Sequence, residues 1–121
     1  MKNKSIVADK SLAFALRIVK LYKYLTEQKK EYILAKQILR SGTSIGANIE
    51  ESLGAQSDAD FIAKLSVAYK ETRETAYWLK LLVGGEYLTE NEAKSITEEV
   101  NELARILTSI LVTKKQQRRE S

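Results

Sequence analysis

Three cationic side chains, Lys29, Lys36 and Arg40, recur at i, i+7 and i+11. On a helix that spacing sets them along one face. Lys10, Arg17 and Lys20 form a similar line upstream, and Lys70, Arg73 and Lys80 mark a third segment. Such lines neutralise phosphate, and the release of condensed counterions drives the association. Lys114, Lys115, Arg118 and Arg119 add a basic C-terminal tail. The chain carries no recognition-helix motif and no aromatic surface of the ribonucleoprotein type. Binding through these residues is therefore expected to be phosphate-led, salt-sensitive and weak in sequence preference.

Other chemistry is harder to assemble from this chain. It has no His and no Cys. That removes the imidazole general base, the thiol nucleophile, the disulfide framework and the common structural zinc sets. A di-iron bundle needs Glu-x-x-His pairs. Glu50 and Glu51, or Glu71 and Glu74, could offer carboxylates to a hard cation, but solvated or salt-bridged helix faces account for them. "GTSIG" lacks the Lys of a phosphate-binding loop and the strand before it. No catalytic, cofactor-binding or metal-ligating residue is assigned, and the chain is expected not to be an enzyme.

The formal charge of +4 is unevenly spread. Residues 1–40 carry ten Lys/Arg against three Asp/Glu, residues 41–113 six against twelve, and residues 114–121 four against one. A basic face for a polyanion fits this split. So does complementarity between helices or subunits, in which acids such as Glu98, Glu99 or Glu102 pair the basic residues. "MKNKSIVADKS" has no long apolar run after its lysines, no stretch is long and apolar enough to span a membrane, and a cytoplasmic location is expected. "NKS" at Asn3 is read as a chance match to a glycosylation acceptor.

The elements that must position these residues are helices. The chain has no Pro, and its apolar residues repeat at helical steps. In "DKSLAFALRIVKLYKYLTE", Leu12, Leu16, Val19 and Tyr22 form one stripe and Phe14, Ile18, Leu21 and Leu25 a second, with Asp9 or Ser11 as a start signal. Two series run unbroken from Leu34 to Ser52 and from Ala35 to Leu53. They cross "RSGTSIGANIEES", a stretch rich in poor helix formers. Unbroken phase predicts one continuous helix there, with Gly42 and Gly46 presenting a flat strip to a neighbour; a loop is the alternative. Asn48 falls on the stripe of Ile38 and Ile45. A buried amide there must find partners, and its expected role is to fix register or assembly, with a ligand site as the alternative.

Ser57 followed by Asp60 starts a third helix with a core stripe from Phe61 to Leu82, and Gly84–Gly85 stops it. Thr89-x-x-Glu92 is a capping box for a fourth, with Ile96, Val100, Leu103, Leu107 and Ile110 inward, decaying into a fraying tail. The expected architecture is all-α: an up-down-up-down four-helix bundle over residues 1–113 and a basic tail over 114–121. One such core does not need every apolar stripe, and the excess is expected between subunits.

"SLAFALRIVKLYKYL", "QILRSGTSIGANIEES" and "FIAKLSVAYKETRETAYWLKLL" resemble the bacterial four-helix-bundle proteins of the 23S rRNA intervening-sequence type, over about residues 9–112. "LRSGTSIGANIEE" is the most specific piece. The resemblance implies assembly into a ring, commonly a pentamer. Some members are encoded within insertions in ribosomal RNA genes. A related branch serves as the accessory protein of diversity-generating retroelements, where a basic ring is implicated in binding nucleic acid and a reverse transcriptase. RNA or DNA, and a partner of the reverse-transcriptase type, are the partners it implies.

Overall fold

The computed structural model describes the backbone of residues 2–120 and the side chains of residues 6–120, so the side chain of Asn3 lies outside the described residues. Four helices follow one another: α1 Lys2–Glu27, α2 Ile33–Leu53, α3 Asp58–Gly84 and α4 Glu90–Glu120. No strand occurs among the described residues. α1 packs on α2 and α4, and α3 packs on α2 and α4.

The helix through residues 40–52 is continuous, as its phase predicts. Its poor helix formers are accommodated by their own turn. Thr43 Oγ1 donates to the Leu39 carbonyl at 2.7 Å and Ser44 Oγ to that of Arg40 at 2.6 Å. Hydroxyls bonded back in this way stay satisfied inside a helix. The inward seam is Ala35, Ile38, Ser41, Gly42, Ile45, Ile49 and Ser52, which draws on both of the series read from sequence. Asn48 is not on it. It is half-buried, and its Nδ2 donates to the Ser44 carbonyl at 2.8 Å. Its amide is thus satisfied within its own helix and fixes no register with another, contrary to expectation. The seam lies between the two series, which rotates position 48 to its edge.

Only one of the two α1 stripes is core. Phe14, Ile18 and Leu25 are buried, while Leu12 is 63% and Leu16 57% exposed. Ser11 is not a cap: α1 already begins at Lys2, and the buried Ser11 Oγ donates to the Ala8 carbonyl at 2.9 Å. The α3 seam runs from Phe61 through Leu65, Ala68, Thr72, Thr75 and Leu79 to Leu82. Its two threonines need partners. Thr72 Oγ1 bonds the Tyr69 carbonyl at 2.6 Å. Thr75 Oγ1 lies 2.9 Å from Ser41 Oγ and 2.8 Å from the Glu71 carbonyl, a hydroxyl chain between α2 and α3.

Thr75→Val should strand the fully buried Ser41 hydroxyl and cost about 1–3 kcal/mol. Ser41→Ala added to it should recover most of that loss, because both partners are then apolar. Urea melts of the two single variants and the double variant read this directly. A double variant as unstable as the sum of the singles would show that the hydroxyl pair is not the cause.

The helix ends are set locally. Glu31 accepts from the Ala35 amide at 2.9 Å and the Ile33 amide at 3.3 Å, covering the start of α2. Ser57 Oγ accepts from the Asp60 amide at 3.0 Å and caps α3. α3 stops at Gly84 as expected, yet the left-handed position after it is Glu86 (φ 68°), and Gly85 has φ −83°. Gly85 is needed for closeness instead: a Cβ there would sit 3.0 Å from the Leu81 carbonyl.

The box at α4 is reciprocal, Thr89 Oγ1 accepting from the Glu92 amide at 3.0 Å and Glu92 Oε1 from the Thr89 amide at 2.8 Å. The Thr89 amide bond holds the Glu92 carboxyl below its ordinary value; burial opposes it as the next largest cause, and the Thr89 and Tyr24 hydroxyls and the charge of Lys29 lower it further. A depressed carboxyl stabilises the fold above the ordinary carboxylate range, and that contribution is lost as pH falls through the folded value. Glu92→Gln should therefore flatten part of the acid limb of the stability–pH profile between those two values and leave the neutral limb parallel to wild type. An acid limb identical in both proteins would contradict this assignment.

Candidate functional site

The basic residues divide into those that hold the bundle together and those that face solvent. Arg17 Nη1 donates to Glu99 Oε2 at 2.6 Å and to Ser95 Oγ at 3.0 Å. Lys10 Nζ meets Glu102 at 3.2 Å. These pairs join α1 to α4. Arg40 bridges Glu71 (3.1 Å) and Glu74 on α3. Glu74 also accepts from the Trp78 indole N–H at 3.2 Å. The two α3 carboxylates considered for a hard cation are thus taken by one guanidinium. No group of three or more acids with metal-binding geometry occurs among the described residues. The acids Glu99 and Glu102 pair with α1, not with the second-helix line of Lys29, Lys36 and Arg40.

Lys29 Nζ lies 5.8 Å from the centre of the Tyr24 ring and lowers the Glu92 pKa by its charge. Lys20 and Lys36 are exposed and bond no acid among the described residues. Lys29 lies in the connection before α2, which begins only at Ile33, so the predicted line keeps just Lys36 and Arg40 on that helix, and the three cations have three different surroundings.

The C-terminal tail is not separate from the bundle. α4 runs unbroken to Glu120. Lys114 Nζ sits 2.9 Å from Asp58 Oδ1 and 5.7 Å from the centre of the Phe61 ring, which pins the tail's first residue to the start of α3. The helix continues past residue 113, where a fraying tail was expected, and Lys114 has an acid and an aromatic face to rest on. Lys115, Arg118 and Arg119 are exposed, and Arg118 and Arg119 fall in the last helical turn, where cations suit the helix dipole.

Two surfaces were less legible in sequence. On α1 and α2, Ala8, Ser11, Leu12, Ala15, Thr43, Gly46, Ala47 and Glu50 line a shallow depression of about 180 Å³. Gly46 helps open it by leaving its backbone bare. Leu12 and Leu16, one turn apart, stand exposed beside it. On α3, Lys70, Arg73, Tyr77 and Lys80 are all exposed, on the side opposite the buried seam. The cations of that face were visible in sequence; the exposure of Tyr77 was not, because an aromatic at helical spacing reads equally well as core.

The comparisons agree with this geometry. A family model described as 23S rRNA-intervening sequence protein matches residues 3–109. A crystal structure of a protein with unknown function from the S23 ribosomal protein family of Bacteroides thetaiotaomicron VPI-5482 superposes with a TM-score of 0.89. It is 54% identical to this chain, and the match covers 90% of this chain and 97% of that one. No curated protein matches. None of the described helices is long and apolar enough to cross a membrane.

Proposed function

Because this chain belongs to the 23S rRNA-intervening sequence protein family, and its solved relative is itself of unknown function, we propose from its own surfaces that it is a non-enzymatic assembly module, an up-down-up-down four-helix bundle that associates with further copies of itself into a ring. The observation that carries this reading is the outward stripe of α1. Leu12 and Leu16 are 63% and 57% exposed. Together they flank a strip of small residues on which another backbone could lie close. Exposed apolar stripes of this kind mark contact surfaces. Alternating direction is supported by the contacts: Ser11 lies by Gly46 and Ile18 by Gly42, Ser41 by Thr75, and Lys114 by Asp58. The pentamer is the number that the family resemblance implies. Sedimentation velocity at micromolar concentration tests the reading; a monomer overturns it.

A second activity is favoured by one observation. Lys20, Lys36, Lys115 and Arg119 are exposed and bond no acid among the described residues. We propose that such free cations hold nucleic-acid phosphate in the cytoplasm, and that a ring repeats them around its axis. Lys10, Arg17, Arg40 and Lys114 would have to abandon intramolecular acids to take part, so they contribute least. Affinity should fall linearly with the logarithm of salt concentration. Gel-shift titration at two salt concentrations reads the slope, and absence of binding at low salt ends this second activity.

A further inference from the structure

We infer that the outward face of α3 is a site for single-stranded nucleic acid, in which Tyr77 stacks a base and Lys70, Arg73 and Lys80 hold the phosphates beside it. This rests on the second activity proposed above and adds to its cations a further surface and a class of ligand. The four residues follow at i, i+3, i+7 and i+10. At 100° per residue they fall within an arc of about 80° and span about 15 Å along the axis. Each is exposed, and Tyr77 is 55% so.

The face is cationic because of how the rest of α3 is satisfied. Its two mid-helix acids, Glu71 and Glu74, are both held by Arg40 from α2. None of the three cations has an acid within ion-pair distance among the described residues. Arg73 Nη1 donates to the Tyr69 hydroxyl at 3.3 Å, a neutral partner that orients the guanidinium and leaves its charge unspent. Lys80 stands at the edge of an open groove of about 850 Å³ shared with Lys94, Glu90 and Glu98. Among the described residues it is bonded to neither of those acids.

Tyr77 is the centre of the pattern. Its ring meets Trp78 edge-on, centroids 5.4 Å apart at 64°. Trp78 is half-buried and tied to Glu74 through its indole N–H. The tyrosine therefore has a fixed neighbour on one side and solvent over more than half its surface. An exposed aromatic between cations is an arrangement that binds single strands, since every base has a π-face to stack. A duplex has already stacked its bases against one another and gains only the phosphate contacts.

The chain's only tryptophan is thus the neighbour of the proposed stacking residue. Titrating the full chain with a thymidine 20-mer should change Trp78 fluorescence, and the same length of duplex should bind more weakly with little change. Tyr77→Ala should weaken single-strand binding about 5- to 150-fold while leaving the salt slope unchanged. Tyr77→Phe should retain it. Lys70→Gln, Arg73→Gln and Lys80→Gln together should reduce the salt slope by about 2, at roughly 0.7 per contact on single strands. All four positions are exposed, and unchanged helix content by circular dichroism verifies the fold. Binding that survives the α3 variants but is lost with Lys20→Gln and Lys36→Gln overturns this site and leaves the second activity standing. No binding by wild type at low salt overturns both. An oligoglutamate peptide that binds as tightly, with the same fluorescence change, overturns the nucleic-acid assignment in favour of an acidic protein segment.

Discussion

Gly42→Leu is expected to be the most damaging single replacement in this protein, costing more than about 3 kcal/mol and leaving little folded chain at physiological temperature. An added Cβ alone would lie 2.7 Å from Ile18 Cγ1 and 2.9 Å from Cγ2. Ile18 is fully buried, and a β-branched side chain in a helix has essentially one χ1 rotamer. It cannot swing away, so the two helices must part. Even Gly42→Ala should destabilise. Overpacking costs about 1–3 kcal/mol, and the helix propensity gained over glycine returns only about 1.

Gly46 provides the contrast. A Cβ there meets Ser11 Oγ at 3.3 Å and the Ser11 carbonyl oxygen at 3.5 Å. A few tenths of an ångström of adjustment suffices, so Gly46→Ala should lie within about 1 kcal/mol of wild type. The two glycines look alike in sequence and should differ in denaturant midpoint. Ile18→Ala combined with Gly42→Ala should cost less than the two changes summed, by about 1 kcal/mol or more, since the smaller residue makes room. A Gly42→Ala protein more stable than wild type would show that the α1–α2 contact is looser than these distances require.

If the proposed ring forms through the α1 stripe, Leu12→Glu with Leu16→Glu is expected to leave monomers without unfolding the chain. Both leucines are more than half exposed in the single chain, so their loss should change its own stability by under about 1 kcal/mol. Within an interface, each buried leucine is worth about 1.5–3 kcal/mol. Two of them correspond to a dissociation constant raised roughly 10²- to 10⁴-fold, before the carboxylates add their desolvation cost. Sedimentation velocity and a thermal melt of the same sample separate the two effects. A variant that sediments like wild type would place the subunit contact elsewhere. One that no longer melts cooperatively would mean that the chain needs its neighbours in order to fold.

Much of this architecture is written in periodicity. The α3 seam from Phe61 to Leu82, the α4 stripe from Ile96 to Leu107, the reciprocal box of Thr89 and Glu92 and the uninterrupted helix through Gly42 and Gly46 all follow from spacing alone, although α4 then buries Leu111 where Ile110 was expected. Each is a local property: it depends on which residues share a face, and 3.6 residues per turn decides that.

What spacing could not decide is which face meets which neighbour. α1 offers two apolar stripes, and only packing against α2 and α4 buries Phe14 and Ile18 while leaving Leu12 and Leu16 outside. Asn48 shares a series with Ile38 and Ile45, but a seam drawn from two series turns it to the edge, where its own helix satisfies it. The basic residues make the point most sharply. Arg40 and Lys36 lie four apart on one helix, yet Arg40 is committed to Glu71 and Glu74, residues more than 30 positions away in the chain, and Lys36 bonds no acid among the described residues. Charge is a property of the sequence. Whether a charge is spent holding the bundle together or kept for a partner depends on what the opposite helix brings within about 4 Å, and that is fixed only when the helices pack.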